Sequence, residues 1–259
     1  MVEAMAKAQV GIQLYTLRDE TKNDFLGTIR KVADMGYKAV EFAGFFGVPA
    51  RELRKFLDDL GLAAPSAHIG INFTDLAAME EGLKEQIEYS QELGLEYIVT
   101  PYSPFSEVPT EEELEQRILY LTKAAELVKA AGLKYGYHNH AFEFKLVNGE
   151  TIMDQFLTRI PAELLFAEFD LGWVHKGGQR PVDYVKKYAG RVPLVHIKDF
   201  GEGRNDTEVG NGDVDFKSVF AIAEDAGIEY YIVEQEQFVS SPLESAKISL
   251  DYFKENGLL

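Results

Sequence analysis

Eight short runs rich in β-branched and aromatic residues alternate along this chain with segments whose apolar residues recur at spacings of three and four. The runs fall at residues 10–15, 38–43, 63–68, 97–101, 134–140, 164–170, 193–199 and 230–235. Between the first two, Phe25, Leu26, Ile29, Val32 and Met35 share a helical face, with Asn23 as the expected N-cap and Gly36 as the stop. The same grammar predicts helices around 53–60, 83–93, 114–128, 152–160, 182–188, 216–226 and 248–253. No Pro/Gly/Ser-rich linker divides the 259 residues. Eight strand-helix pairs in this length predict an α/β fold, a single closed parallel (β/α)8 barrel over residues 1–259 rather than a six-stranded doubly wound sheet.

Composition narrows the chemistry. With 46% hydrophobic residues the chain can bury a large core. Forty-three acidic against 26 basic side chains leave a formal charge of −17, which opposes binding to DNA or RNA, because that affinity comes from Lys and Arg neutralising phosphates. The absence of cysteine excludes disulfides, thiolate zinc sites, iron–sulfur clusters and cysteine nucleophiles, so any metal must sit on His, Asp or Glu. No stretch approaches the roughly 20 apolar residues of a membrane span. Residues 1–15 lack the profile of a secretory signal, and a cytoplasmic protein without membrane partners is the expectation.

In a (β/α)8 barrel the active site forms at the C-terminal ends of the strands. Here Glu41 ends the second run, His68 the third, His138 and His140 the fifth, Glu168 and Asp170 the sixth, His196 and Lys198 the seventh, and Glu234 and Glu236 the eighth. Four of the five histidines fall at these ends and His175 lies just beyond the sixth. Strand side chains alternate, so His138 with His140, Glu168 with Asp170, and His196 with Lys198 each share a face. Imidazoles and carboxylates converging without thiolate describe a mixed nitrogen and oxygen site for one divalent metal, Mn²⁺ or Zn²⁺ first, then Co²⁺ or Mg²⁺. Any one of these residues alone more often hydrogen-bonds a loop; the coincidence around one rim points to a site.

The segments GIQLYTLRDE, GYKAVEFAG, GYHNHAFEF, FDLGWV, VHIKDF with EVGNGDVDF, and YYIVEQE together resemble the xylose-isomerase-like TIM-barrel family of sugar isomerases and epimerases, over nearly the whole chain. Its members include ketose 3-epimerases, inosose dehydratases, lyases of 3-keto-glycosides and the endonuclease IV group. The resemblance implies one divalent ion held by Glu, Asp, His and Glu from strands five to eight. Asp170, His196 and Glu234 match, but strand five reads YHNH, which puts His138 where the ketose epimerases carry Glu. The inosose-dehydratase-like members are similar in carrying histidines there.

The implied activity is that of a metal-dependent isomerase or epimerase of a keto-sugar or related polyol. Glu234 would abstract the proton alpha to a carbonyl through a metal-stabilised enediolate, with His140, Glu168 or Glu143 as second acid or base. A dehydratase or 3-keto-glycoside lyase shares that first step and is the alternative; a binding barrel without catalysis ranks below both. Lys198 is expected either to support the oxyanion or to pair with Glu168 or Asp170. Glu41, His68, Trp173 and Lys198 are the expected substrate contacts, Trp173 as an aromatic wall or as core. The glycine-rich stretch 200–214 after strand seven is expected to be a lid or a plain surface loop. It sets Glu202, Asp206 and Glu208 against Arg204 alone, which disfavours a phosphate there and predicts an unphosphorylated sugar. The resemblance also allows a homo-oligomer.

Overall fold

The computed structural model describes residues 8–201 and 205–259. Among them, eight parallel strands close into a barrel. They are β1 (Gln9–Gln13), β2 (Ala39–Phe42), β3 (Ala63–His68), β4 (Tyr97–Thr100), β5 (Lys134–His138), β6 (Phe166–Asp170), β7 (Leu194–Ile197) and β8 (Tyr230–Val233). Each pairs with its sequence neighbour, and β8 closes on β1 through Gln9 with Tyr230 and Ile12 with Val233. All eight expected strands are present, several ending one or two residues earlier than the sequence suggested.

Helices cover the outside, the longer ones each turning an apolar stripe toward the barrel. α1 is Arg18–Asn23 and α2 is Phe25–Met35. The cap of α2 is Asp24, not Asn23: the Asp24 carboxylate accepts from Gly27 N, while Asn23 ends the short α1. Gly36, at φ +111°, ends α2 in a conformation that suits a residue without Cβ. α3 (Ala50–Leu60), α4 (Leu76–Leu93), α5 (Glu111–Ala130) and α6 (Ile152–Arg159) follow in order. α7 (Leu171–Lys176) is a short helix directly after β6, and α8 (Pro181–Lys187) precedes β7. The helix expected over 216–226 is two, α9 (Phe216–Phe220) and α10 (Ala223–Ala226), before α11 (Pro242–Glu255).

The lumen is divided along its axis. Tyr97, Phe166 and Leu194, the first residues of β4, β6 and β7, form a separate apolar cluster with Val99 and fill its N-terminal end. The Phe166 ring lies where a Cβ on Gly136 would stand, 2.3 Å away. Polar residues are thereby confined to the opposite end. There the stretch after β7 is tied down: Asp199–Phe200 pairs antiparallel with Asp206–Thr207. The Asp199 carboxylate accepts from the backbone N–H groups of Phe200, Gly210, Gly212 and Val214 at 2.9–3.2 Å. Asp206 accepts from Glu236 N and Gln237 N, linking this ribbon to the segment after β8. Glu202, Gly203 and Arg204 lie outside the described residues.

Candidate active site

At the C-terminal end of the barrel, β5 brings His138, β6 brings Glu168 and Asp170, β7 brings His196 and then Lys198, and β8 ends immediately before Glu234. Ligand-type atoms of His138, Asp170, His196 and Glu234 all lie within 4.8 Å of one another, and all four residues are buried. Nδ1 of His196 is 3.0 Å from Oε2 of Glu234, and Nε2 of His138 is 4.0 Å from Oδ2 of Asp170. Register explains the convergence: Asp170 pairs with His196 across the β6–β7 ladder, and His138 pairs with Glu168 across β5–β6.

A metal ion fits this donor set. Two imidazoles and two carboxylates suit a divalent cation of borderline hardness. Oδ2 of Asp170 is buried without a hydrogen-bond partner, a state that leaves a carboxylate oxygen undersatisfied unless a cation or donor reaches it. The other oxygen, Oδ1, is committed to capping α7 through Trp173 N at 2.8 Å, and Asn139 Oδ1 accepts from Asp170 N at 3.1 Å. These contacts hold the carboxylate in one orientation with Oδ2 facing the cluster.

Beneath this set lies a second ring of contacts. Glu168 Oε2 stands 2.6 Å from His68 Nε2 and 3.2 Å from His138 Nδ1. Glu41 is fully buried, accepting from Gln13 Nε2 at 2.7 Å and Ser66 Oγ at 2.6 Å, with His196 Nε2 2.7 Å from its Oε1. The expected substrate contact Glu41 is thus placed as a support under His196, away from the cavity. Burial raises Glu41 above the usual carboxylate range, and Glu168 beside it adds to that. Burial opposes charge on Glu168 too, but His196 and His68 outweigh it and hold that carboxyl well below its usual value.

Lys198 is fully buried over the Trp173 ring, with Nζ 3.3 Å from Glu234 Oε2, 3.8 Å from Asp170 Oδ2 and hydrogen-bonded to Glu236 Oε1. Of the two carboxylates expected as its partners it meets Asp170; Glu168 turns its Oε2 to the histidines instead, and its Oε1 is buried without a hydrogen-bond partner. Burial works against its charge, but Glu234, Asp170 and Glu236 more than compensate and push the ammonium upward. Burial likewise opposes ionisation of Glu234, yet Lys198 and then His196 hold it well below the carboxylate range. Asp170 is raised to about 7 by burial despite Lys198.

A 430 Å³ cavity opens above these groups, lined by His68, His138, His140, Glu234 and Glu236 together with Tyr15 and Tyr102. Burial and then Lys198 lower His140 to about 4, so it faces the cavity as a neutral ring whose Nδ1 has no hydrogen-bond partner. Glu143 is fully buried and accepts from Tyr137 Oη at 2.8 Å and His140 N at 2.7 Å. It braces the loop after β5 and does not line the cavity. Neither Trp173 nor Lys198 lines it, and His175 is exposed on α7. Tyr15 and Tyr102 were not among the expected site residues; each stands two positions past the end of its strand, β1 and β4, where an aromatic residue carries the same positional signal as a charged one.

The chain is thus a closed (β/α)8 barrel whose buried His, Asp and Glu side chains at the C-terminal ends of the strands could hold a metal ion. The chain belongs to the xylose isomerase-like TIM barrel family, whose profile matches residues 29–256. It is similar to an inosose dehydratase of Geobacillus kaustophilus, 26% identical over 265 aligned positions that cover 86% of this chain and 84% of that one. A sugar phosphate isomerase/epimerase from Parabacteroides distasonis superposes with a TM-score of 0.86 at 27% identity, covering 100% and 98% of the two chains. The IOLI protein, solved with a binding zinc atom, has the same fold at 12% identity, with a TM-score of 0.79 and coverage of 95% and 97%. Among the described residues no helix is long and apolar enough to cross a membrane.

Proposed function

We propose that this protein is a metal-dependent enzyme that removes the proton alpha to the carbonyl of a keto-sugar or related polyol, with Glu234 as base, and completes the reaction by β-elimination. His138, Asp170, His196 and Glu234 would hold one divalent ion, Mn²⁺ or Zn²⁺, the second favoured by the zinc of the IOLI protein. Bound there, the ion supplies Lewis-acid polarisation of a carbonyl and an adjacent hydroxyl.

The remaining work falls to the chain's own side chains. Lys198 keeps Glu234 ionised in a buried setting, ready to accept a proton. As the C–H bond breaks, its electron pair forms the new carbon–carbon double bond and the oxygen substituent on the β carbon departs. The protonated Glu234 then gives the same proton to that departing oxygen, so one group serves as base and acid and the leaving group exits as water or an alcohol.

The observation that carries elimination over epimerisation is the residue opposite Glu234. Epimerisation needs a second base on the far face of the substrate; where the ketose epimerases carry Glu the strand-five position holds His138, and the other imidazole of that strand end in the cavity wall, His140, is a weak base that burial lowers to about 4. The inosose dehydratase relatives support the same outcome. Isomerisation, the first expectation from sequence, stays as the second reading because the Parabacteroides structure is called an isomerase/epimerase. An unphosphorylated substrate and a cytoplasmic location remain part of the proposal.

Metal-loaded protein incubated in D₂O with a keto-inositol and with methyl 3-keto-glucoside, read by mass spectrometry, tests it. Elimination gives a product lighter by one water or by methanol. Isomerisation or epimerisation keeps the substrate's atoms and introduces deuterium at the alpha carbon, and no change in either substrate would overturn the proposed activity.

A further inference from the structure

β8 ends at Val233, and residues 234–237 after it form neither helix nor strand. Side chains from elsewhere in the barrel hold their backbone instead. Gln235 N donates to Thr16 Oγ1 at 3.2 Å, and Glu236 N and Gln237 N donate to the Asp206 carboxylate at 2.6 and 3.0 Å. The Glu236 carbonyl accepts from Arg18 at 2.8 Å. The turn after β1, α1 and the ribbon after β7 thus each spend a polar side chain on fixing one short stretch that has no ladder of its own.

Glu236 is the residue that these contacts position, and the proton transfers assigned to Glu234 give it no part. Its Oε1 accepts from Lys198, whose ammonium is fully buried and also lies 3.3 Å from Glu234 Oε2. One cation therefore ties the two carboxylates together and puts Glu236 on the same side of the cavity as Glu234. The Glu236 side chain is 37% exposed and lines the 430 Å³ cavity, and its Oε2 takes no hydrogen bond among the described residues. A carboxylate is an acceptor only, so an oxygen held still at a cavity wall is completed by donors that a ligand brings.

We propose that Glu236 is a specificity-determining residue that accepts hydrogen bonds from the hydroxyls of the substrate beside the reacting carbon. The inference rests on the metal-dependent proton abstraction proposed above and goes beyond it by naming the group that selects a polyhydroxylated substrate. With the reacting carbon over Glu234, a carboxylate joined to Glu234 through a single ammonium reaches the hydroxyls on the neighbouring carbons. Hydrogen bonds to an ionised acceptor are about twice as strong as neutral ones. A carbonyl compound without those hydroxyls leaves the charged oxygen unpaired, and the site discriminates against it on that account. Lys198, Asp206 and Arg18 act here as positioning residues, since each holds Glu236.

Binding of two probes to the Zn²⁺-loaded protein tests this by calorimetry. scyllo-Inositol lacks a carbonyl, binds without turnover and has equivalent hydroxyls, so that its orientation in the cavity does not affect the reading. Acetohydroxamate chelates a metal through a carbonyl and an adjacent hydroxyl and carries no other hydroxyl. Glu236→Gln is expected to weaken scyllo-inositol about tenfold, the difference between a charged and a neutral acceptor, and to leave acetohydroxamate affinity as in wild type. Glu236→Ala should weaken scyllo-inositol at least as much, again without effect on acetohydroxamate. Unchanged scyllo-inositol affinity in both variants, or a parallel loss of both probes, would overturn the assignment of Glu236 and leave the proposed activity standing. A wild-type protein that binds acetohydroxamate but not scyllo-inositol would remove the polyol substrate along with this proposal, and one that binds neither would remove the metal-dependent reading beneath it.

Discussion

Nε2 of His196 lies 2.7 Å from Oε1 of Glu41, a contact that crosses the lumen from β7 to β2 beneath the candidate metal centre. Donation from Nε2 to this carboxylate leaves Nδ1, 3.0 Å from Glu234, as the nitrogen free to bind a metal. Glu41 is itself held by Gln13 and Ser66, so the imidazole is oriented by a chain of buried contacts reaching three strands.

The Glu41 carboxylate should therefore act on the metal without touching it. Glu41→Gln is expected to weaken Mn²⁺ or Zn²⁺ affinity about 10- to 100-fold, the usual effect of losing an outer carboxylate from a ligating histidine. Titration calorimetry on the metal-free protein measures this, and unchanged affinity would show that Glu41 does not orient His196.

Gly172, early in α7, tests how tightly Lys198 is positioned. A Cβ there would stand 2.3 Å from the Lys198 carbonyl oxygen and 2.8 Å from the Phe200 ring. Backbone cannot yield as a flexible side chain can, so Gly172→Ala should cost about 1–3 kcal/mol and displace the end of β7. Thermal melting should fall and turnover with it; a variant with wild-type melting and turnover would show that β7 accommodates the methyl group.

Away from the site, α5 begins with a capping box in which Glu113 accepts from Thr110 N and from Ser106 N and Oγ, while Thr110 Oγ1 accepts from Glu113 N. The Thr110 backbone first, then the Ser106 donors, lower Glu113 to about 2. A depressed carboxylate contributes stability above its unfolded pKa and loses it as pH falls through the folded value. The stability difference between wild type and Glu113→Gln should be about 1 kcal/mol at neutral pH, the ordinary size of a cap, and should shrink from about pH 4.5 toward pH 2. Urea denaturation at several pH values reads this directly, and a difference independent of pH would contradict the assignment.

The barrel was legible in the sequence because both of its signals are strong: short β-branched and aromatic runs, and helical stripes such as Leu114, Leu121 and Val128. Boundaries were less so. Asn23 and Asp24 are both good caps, and only the chain path shows that Asp24 meets Gly27 N. The cluster His138, Asp170, His196 and Glu234 could be read because strand ends converge in this architecture whatever the loops do. Depth could not: alternation says which face Glu41 and Lys198 occupy, but not that they lie under the cavity instead of in its wall. Trp173 depended on α7, a six-residue helix too short to leave a periodic signal. The contact of Asp199 with four backbone N–H groups was hidden for a related reason, since glycine-rich loops carry no period at all.

Metal content of the purified protein tests the central claim most directly. Inductively coupled plasma mass spectrometry should find about one divalent ion per chain, as the four-residue donor set requires. His196→Ala should lose it, and Glu234→Gln should hold it more weakly. A wild-type protein that carries no ion and takes up none from added Mn²⁺, Co²⁺ or Zn²⁺ would contradict the account and leave a barrel that binds sugars without metal-assisted chemistry.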